Sequence, residues 1–274
     1  MIVSVIGAGA IGSAVARSLA ESRIFKLVIA SRRRVEKIRH LERLGIKVTS
    51  NNREAAREAD VIIICVKPGD VMAVLEEIRP QISGKIVVSM AAAVSLRLLK
   101  EAAPHAKFVR VMPNLAVLVG ESFSAYCVDG GVSEEEKKTV EMILGALGRS
   151  VEVEEEQMDV VTALSGCAPG FLSFMTGAIL EACVEEGLPE DLASAALAQS
   201  MIGTGRLMID MGLPPSEIMR LVATPGGVTE AELREMERAR VAEGVKSAIK
   251  AGIIRFREIS DELERRMAGH EGPS

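Results

Sequence analysis

The chain has 274 residues, 48% of them hydrophobic and 26% charged, which is typical of a globular protein of one large or two modest domains. A net charge of −5 and an aromatic content of 3% argue against nucleic acid as a partner, because phosphate neutralisation and base stacking need basic and aromatic residues. No apolar run approaches the roughly 18 residues of a membrane span. We therefore expect no membrane contact and a cytoplasmic location.

Residues 1–156 alternate short apolar runs with segments of helical spacing. Solidly apolar runs are typical of strands buried on both faces. The predicted strands are Ile2–Ile6, Leu27–Ala30, Val61–Val66, Ile86–Met90 and Phe108–Met112, extended by Ser124–Val128 and Ser150–Val153. The predicted helices include Ser13–Ser22, Val35–Leu44, Asp70–Ile78 and Ser133–Leu147. This alternation predicts an α/β domain with a doubly wound parallel sheet, a Rossmann-like fold.

A glycine fingerprint, Gly7-Ala8-Gly9-Ala10-Ile11-Gly12, lies directly between the first strand and the first helix. In this context Gly7 allows the tight turn, Gly9 lets the backbone approach a pyrophosphate, and Gly12 lets the helix pack closely on the strand. The motif predicts a dinucleotide site.

The end of the second strand indicates which dinucleotide is bound. It reads Ala30-Ser31-Arg32-Arg33-Arg34, with no Asp or Glu to bind a ribose 2′-hydroxyl. Three arginines suit a 2′-phosphate better, so we expect NADP(H), contacted by Ser31 and Arg32, with NAD(H) as a weaker alternative.

Three further segments are placed to line this site. Val66-Lys67-Pro68 and Met112-Pro113-Asn114 each end a strand at the carboxyl edge of the sheet, where cofactors bind in such folds. Asn51 and Asn52 precede a helix, where capping is their default role and a contact to the adenosine half of the cofactor is a second one.

Residues 157–274 contain no predicted strand. Consecutive helices are predicted at Val160–Leu164, Gly170–Glu186, Pro189–Met211, Pro215–Val222, Thr229–Ala242 and Glu243–Arg266, followed by a disordered tail at Gly269–Ser274. Gly170–Ala182 is apolar nearly all round, which indicates burial or a subunit interface. The second domain is thus predicted to be all-α and self-associating.

Two glycine-containing loops in this part offer backbone N–H groups to an anion. They are Leu164-Ser165-Gly166-Cys167-Ala168-Pro169-Gly170 and Thr224-Pro225-Gly226-Gly227-Val228-Thr229. Each precedes a predicted helix, whose N-terminus favours negative charge. Four cysteines and three histidines are scattered without ligand spacing, and we expect no metal site.

These motifs, in this order and together with Gly187-Leu188-Pro189, resemble the pyrroline-5-carboxylate reductase family over nearly the whole chain. The resemblance implies an NAD(P)-binding domain, a helical dimerisation domain forming at least a homodimer, and NADPH-dependent reduction of a cyclic imine to L-proline. It implies that the two loops bind the substrate, through Ser165, Gly166, Cys167, Ala168, Thr224, Gly226, Gly227 and Val228. The hydroxyl of Thr229 is then expected to orient the imine nitrogen, as the catalytic residue.

The chain departs from the family pattern in two places, in the first of these loops and directly after Met112-Pro113-Asn114. Cys167 and Ala168 stand where the family usually has Ser and Gly, and Leu115-Ala116 replace the usual Thr-Pro after Met-Pro-Asn. A reductase of another cyclic imine or of a small 2-oxo acid is therefore a second reading. A non-catalytic NADP-binding protein is a third.

Overall fold

The computed structural model describes residues 1–267, so the predicted disordered tail at Gly269–Ser274 lies outside the described residues. The chain divides into two compact units, one formed by Met1–Pro169 with the residues from Gly252 onward, the other by Gly170–Ala251. The sequence-based boundary between residues 156 and 157 stays a prediction.

The first unit contains one eight-stranded sheet. Its strands are β1 (Ile2–Ile6), β2 (Leu27–Ser31), β3 (Lys47–Thr49), β4 (Val61–Ile64), β5 (Ile86–Ser89), β6 (Lys107–Met112), β7 (Ser122–Val128) and β8 (Gly148–Glu152), in the order 3-2-1-4-5-6-7-8. The first six are parallel, as predicted for a doubly wound sheet. The two further strands extend the sheet as predicted, and they reverse its direction, because β7 runs antiparallel to β6 and β8 runs parallel to β7.

Helices cover both faces of this sheet. They are α1 (Ala10–Glu21), α2 (Asn52–Glu58), α3 (Val71–Ile78), α4 (Leu96–Ala102), α5 (Glu134–Gly145) and α6 (Met158–Val161). Val61 and Ile63 on β4 point into the core that contains α1 and α5, whereas Ile62 and Ile64 point into the core that contains α2, α3 and α4. Burial on both faces explains why the strands are apolar throughout.

The predicted helix Val35–Leu44 is two 3₁₀ segments, Val35–Lys37 and Arg39–Leu44. Its apolar residues are Val35, Ile38, Leu41 and Leu44, a strict spacing of three that matches the 3₁₀ period rather than 3.6.

The second unit is helical, as predicted. Its helices are α7 (Ala168–Glu185, which begins in the first unit), α8 (Glu190–Asp210), α9 (Pro215–Val222), α10 (Val228–Arg238) and α11 (Val241–Met267, whose residues from Gly252 onward belong to the first unit). None of the residues of α7 is buried within the single chain, and Ala193 is the buried residue of α8.

One helical segment, Glu155–Glu185, is long and apolar enough to cross a membrane by length and composition alone. This corrects the expectation that no such segment exists. Its most apolar window is unburied within the single chain. A helix that packs against a second protein surface has the same composition.

Candidate functional site

The turn between β1 and α1 is shaped by its glycines. Gly7 has φ +90°, and a Cβ on it would lie 2.5 Å from Val66 Cγ1. A Cβ on Gly12 would lie 2.5 Å from the carbonyl oxygen of Gly7. Both positions therefore require glycine for the turn and for the close packing of α1 on the sheet.

Gly9 has a different role, because a Cβ there would meet only Gly7 O, at 3.9 Å. It is the N-cap of α1, and no side chain caps the helix at this end. The N–H groups of the first turn, at Ala10, Ile11 and Gly12, thus begin a helix whose N-terminus favours an anion. The space above Gly9 is a cradle that a side chain would fill.

This turn opens on a cleft of about 780 Å³ in the first unit. The cleft is lined by seven of the residues predicted to bind the cofactor, namely Gly7, Gly9, Ser31, Arg32, Asn52, Val66 and Lys67. Pro68 begins the short 3₁₀ turn that follows, Pro68–Asp70. The end of β2 and the end of β4 therefore meet the glycine turn on one side of the sheet, as the fold requires.

The cleft is electropositive. Arg32, Arg33, Arg34, Lys37 and Lys67 line it, against two acidic residues, Asp70 and Glu77. Cys65 also lines it, and burial raises the pKa of this thiol to about 12, so it adds no negative charge at neutral pH. Such a surface suits a polyanionic dinucleotide.

Ser31 and Asn52 line the cleft but interact with each other. Ser31 is fully buried, and its hydroxyl donates to Asn52 Oδ1 at 2.7 Å. The Asn52 amide in turn donates to Glu77 Oε2 at 2.8 Å. Asn51, rather than Asn52, caps α2, through a hydrogen bond from the Glu54 N–H. Capping, the default role predicted for both asparagines, is thus confirmed for Asn51 and wrong for Asn52.

Met112 and Asn114 are absent from the residues that line this cleft and lie beside Ser165 and Gly166 instead. Asn114 Nδ2 donates to both the carbonyl and the hydroxyl oxygen of Ser165 at 3.3 Å. A Cβ on Gly166 would lie 3.0 Å from Met112 Cε. The end of β6 therefore packs on the first of the two predicted substrate loops.

The first predicted substrate loop, residues 164–170, is helical rather than a loop, which corrects the sequence-based interpretation. Thr162–Gly166 form a π-helical turn, Cys167 is a single exposed turn residue, and Ala168 begins α7. The Cys167 N–H donates to the Thr162 carbonyl at 3.1 Å, a bond that spans five residues. Such single π turns occur frequently at functional sites.

The second predicted loop is confirmed as a tight turn, in the second unit. Gly226 has φ +74°, and the Gly227 N–H donates to the Thr224 carbonyl at 2.9 Å. A Cβ on Gly227 would collide with Thr224 Oγ1. Val228 begins α10, and Thr229, half-buried, is its second residue.

The turn already holds a carboxylate. The Gly226 N–H donates to Glu230 Oε2 at 2.7 Å, and the Glu230 carboxylate also pairs with Arg234. The Gly226 N–H was predicted to bind the substrate. In the structure it donates to the Glu230 carboxylate instead, which occupies the donor that a substrate carboxylate would use.

The polar cleft residues that sequence reasoning missed are Glu77, Lys37, Ser50 and Asp70. Glu77 follows Glu76 in the last turn of α3, and nothing in this pair of adjacent acids shows which one faces the cleft. Only the fold, which brings the end of α3 beside the start of α2, reveals it.

Two family models match the chain. "NADP oxidoreductase coenzyme F420-dependent" matches residues 2–93, and "Pyrroline-5-carboxylate reductase dimerisation" matches residues 155–259. The first match contains the glycine turn and most of the cleft, and the second contains all of the second unit. The latter match supports self-association of this chain.

Relatives and solved structures agree over nearly the full length. A pyrroline-5-carboxylate reductase of Corynebacterium melassecola is 35% identical over 94% of this chain and 98% of its own, and one of Arabidopsis thaliana is 32% identical over 94% and 95%. A crystal structure of a Plasmodium falciparum pyrroline carboxylate reductase with NADP bound has a TM-score of 0.85 at 27% identity, covering 95% of this chain and 98% of its own. A structure of a Coxiella burnetii pyrroline-5-carboxylate reductase has a TM-score of 0.87 at 26% identity, covering 93% of this chain and 97% of its own.

These similarities confirm both the fold class and the resemblance predicted from the motifs. The chain belongs to the pyrroline-5-carboxylate reductase family.

Proposed function

We propose that this protein reduces 1-pyrroline-5-carboxylate to L-proline with NADPH. The observation that carries the cofactor assignment is the uncapped N-terminus of α1 above Gly9, which opens on an arginine-lined cleft. Family membership carries the substrate assignment, because relatives named for this reaction align over nearly their whole length. The NADP-bound neighbour supports NADP(H) as the cofactor.

The residues present fit the dinucleotide. The first turn of α1 would receive the pyrophosphate, and the absence of a side chain at Gly9 leaves it room. Arg32, Arg33 and Arg34 would receive a 2′-phosphate, for which planar guanidinium groups are well suited. When bound, NADPH supplies a hydride to the carbon of the substrate's C=N bond.

The substrate carboxylate is assigned to backbone donors of the two segments predicted from the sequence. Gly226, Gly227 and Val228 with Thr224 form one group, and Ser165, Gly166, Cys167 and Ala168 form the other. Backbone N–H groups at a glycine turn bind a carboxylate without the bulk of a side chain. For Gly226, binding requires that the Glu230 carboxylate move away. The N–H groups of Gly227 and Cys167 already donate to the carbonyls of Thr224 and Thr162, so a substrate carboxylate would have to share or replace these bonds.

Thr229 is proposed to orient the imine nitrogen with its hydroxyl. An imine can bind already protonated, so no strong general acid is needed, and positioning of the reacting atoms supplies most of the acceleration. We expect Thr229→Ala to lower kcat by about a hundredfold while NADPH affinity is unchanged, and Thr229→Ser to retain most of the activity. An equal loss of turnover and of NADPH affinity in Thr229→Ala would contradict this role.

We further propose a homodimer, formed through the apolar surface of the helical unit, in the cytoplasm. The unburied apolar window within Glu155–Glu185 falls in the matched dimerisation region, and a partner surface would cover it. Sedimentation of the purified protein without detergent tests the homodimer, since a monomer or a detergent requirement would contradict it. Fractionation of cells into supernatant and membranes tests the location, since recovery in the membranes would contradict it.

The function is tested by following NADPH absorbance with 1-pyrroline-5-carboxylate, and with other cyclic imines and small 2-oxo acids in parallel. Rapid oxidation with the first substrate alone supports the proposal. Turnover of a different imine or oxo acid would instead favour the second reading, in which Cys167 and Ala168 have changed the substrate. NADPH binding without turnover of any compound would favour the non-catalytic reading.

A further inference from the structure

We infer that Glu77 weakens the preference of this protein for NADP(H), because its carboxylate lies beside the position of the ribose 2′-substituent. This inference rests on the dinucleotide proposed for the cleft. Its effect is opposite to that of the neighbouring arginines, because it disfavours NADP(H) and leaves NAD(H) unaffected.

The first step is the position of the carboxylate. Glu77 ends a series of two side-chain hydrogen bonds, from Ser31 to Asn52 and from Asn52 to Glu77. Because one amide group bridges the two bonds, the carboxylate lies within about 8 Å of the Ser31 hydroxyl, a distance no greater than the Debye length at physiological ionic strength. Ser31 ends β2, where the 2′-substituent of a dinucleotide binds in this fold.

The second step is that no basic side chain forms an ion pair with this carboxylate. Among residues 1–267, no salt bridge involves Glu77, and its carboxylate accepts a hydrogen bond from the neutral amide of Asn52. Arg53 donates to the backbone carbonyl of Glu77, not to its carboxylate. Glu77 is partly exposed and lines the cleft, so a bound phosphate would meet its charge.

The third step is that the hydrogen bonds limit which groups are free for a 2′-phosphate. A phosphate only accepts, and the Ser31 proton is already donated to Asn52. Since the Asn52 amide uses its carbonyl on Ser31 and one N–H on Glu77, its orientation is fixed. The attraction for the phosphate therefore comes from the arginines, and Glu77 opposes them by like-charge repulsion.

The substitution Glu77→Gln separates charge from geometry. The glutamine keeps an oxygen that accepts from Asn52 and removes only the charge. Glu76→Gln is the matched control, because Glu76 is the adjacent residue, is exposed, carries the same charge and does not line the cleft.

The test measures dissociation constants of NADP⁺ and NAD⁺ by calorimetry, without substrate, at 50 and 500 mM NaCl. We expect Glu77→Gln to bind NADP⁺ about three- to tenfold more tightly at low salt, with NAD⁺ affinity changed less than twofold, and the gain to shrink at high salt. Glu76→Gln should match the wild type.

Four results would overturn the inference: an equal change for both dinucleotides, no change for either, the same change in Glu76→Gln, or weaker NADP⁺ binding in Glu77→Gln. The last would mean that the carboxylate acts by holding Asn52 in place. Failure of the wild type to bind either dinucleotide would overturn the cofactor assignment itself, and this outcome is distinct from the other four.

Discussion

The three glycines of the dinucleotide turn should respond differently to a single added methyl group. Gly9→Ala and Gly12→Ala give the clearest comparison, because both substitutions lie at the start of α1 and differ in the space available to the new Cβ. At Gly9 the new Cβ has room, with its nearest neighbour at 3.9 Å, and φ is −77°, which alanine adopts freely. At Gly12 the new Cβ meets a backbone oxygen at 2.5 Å.

For Gly12→Ala, the overlap is with the Gly7 carbonyl and with Cys65 Cβ, at 3.1 Å, and both are fixed by the turn and the sheet. Overpacking of this kind costs about 1–3 kcal/mol. Alanine regains about 1 kcal/mol of helix propensity over glycine. We therefore expect a net loss of up to about 2 kcal/mol, which lowers Tm by up to about 8 °C in a unit of this size.

For Gly9→Ala, stability should change by less than about 1 kcal/mol, because a poorer N-cap is offset by a less flexible unfolded chain. The methyl group fills the cradle for the pyrophosphate, so we expect NADP⁺ to bind at least about tenfold more weakly. Thermal unfolding and calorimetric titration of both variants provide the measurements. Normal NADP⁺ binding by Gly9→Ala would refute the assigned position of the pyrophosphate.

Two further predictions concern the stability of the first unit. Glu136→Gln should cost about 1 kcal/mol at neutral pH, because Glu136 closes a capping box with Ser133 and pairs with Lys107, and these contacts lower its pKa below 4.5. A carboxyl whose pKa is lowered by folding stabilises the folded state above pH 4.5, and this stabilisation is lost as the pH falls through the pKa of the folded state. The destabilisation caused by Glu136→Gln should therefore disappear at that low pH. A destabilisation that does not depend on pH in urea unfolding would contradict this. Glu155→Ala should lower the free energy of unfolding by about 3 kcal/mol, because it removes the carboxylate that lies 3.0 Å from the buried Arg110 guanidinium. Arg110→Met should lower it by less in the same assay, because it leaves no buried charge unpaired.

The parallel core of the sheet was predictable because each strand is buried on both faces and is apolar throughout. β3, at Lys47–Thr49, was missed, since it has three half-buried residues and no apolar run. The reversed direction of β7 was also missed, although the chain contains the reason. Residues 113–121, which join β6 to β7, are fewer than the dozen or more that a parallel crossover requires.

The glycine turn between β1 and α1 was predictable, because the tight turn at Gly7 and the close packing at Gly12 follow from the motif spacing. The approach of a pyrophosphate to Gly9 stays a prediction. The roles of polar cleft residues were not predictable. Ser31 was predicted to contact a 2′-phosphate, and that contact stays a prediction, but its buried hydroxyl is already bonded to Asn52, a residue 21 positions away. A pairing at this separation depends on how β2 meets α2, which no local pattern encodes.

The glycine turn before α10 was likewise predictable as a turn, whereas the hydrogen-bond partner of its N–H group was not. Its tightness follows from Gly226 and Gly227 alone, yet the partner of the Gly226 N–H is Glu230, four residues on. An acidic side chain near the N-terminus of a helix is stabilised by the free N–H groups and by the helix dipole. Those are the same interactions that would hold a substrate carboxylate. The turn is thus shaped for a carboxylate while the chain itself supplies one, and the substrate carboxylate proposed to bind here would have to compete with it.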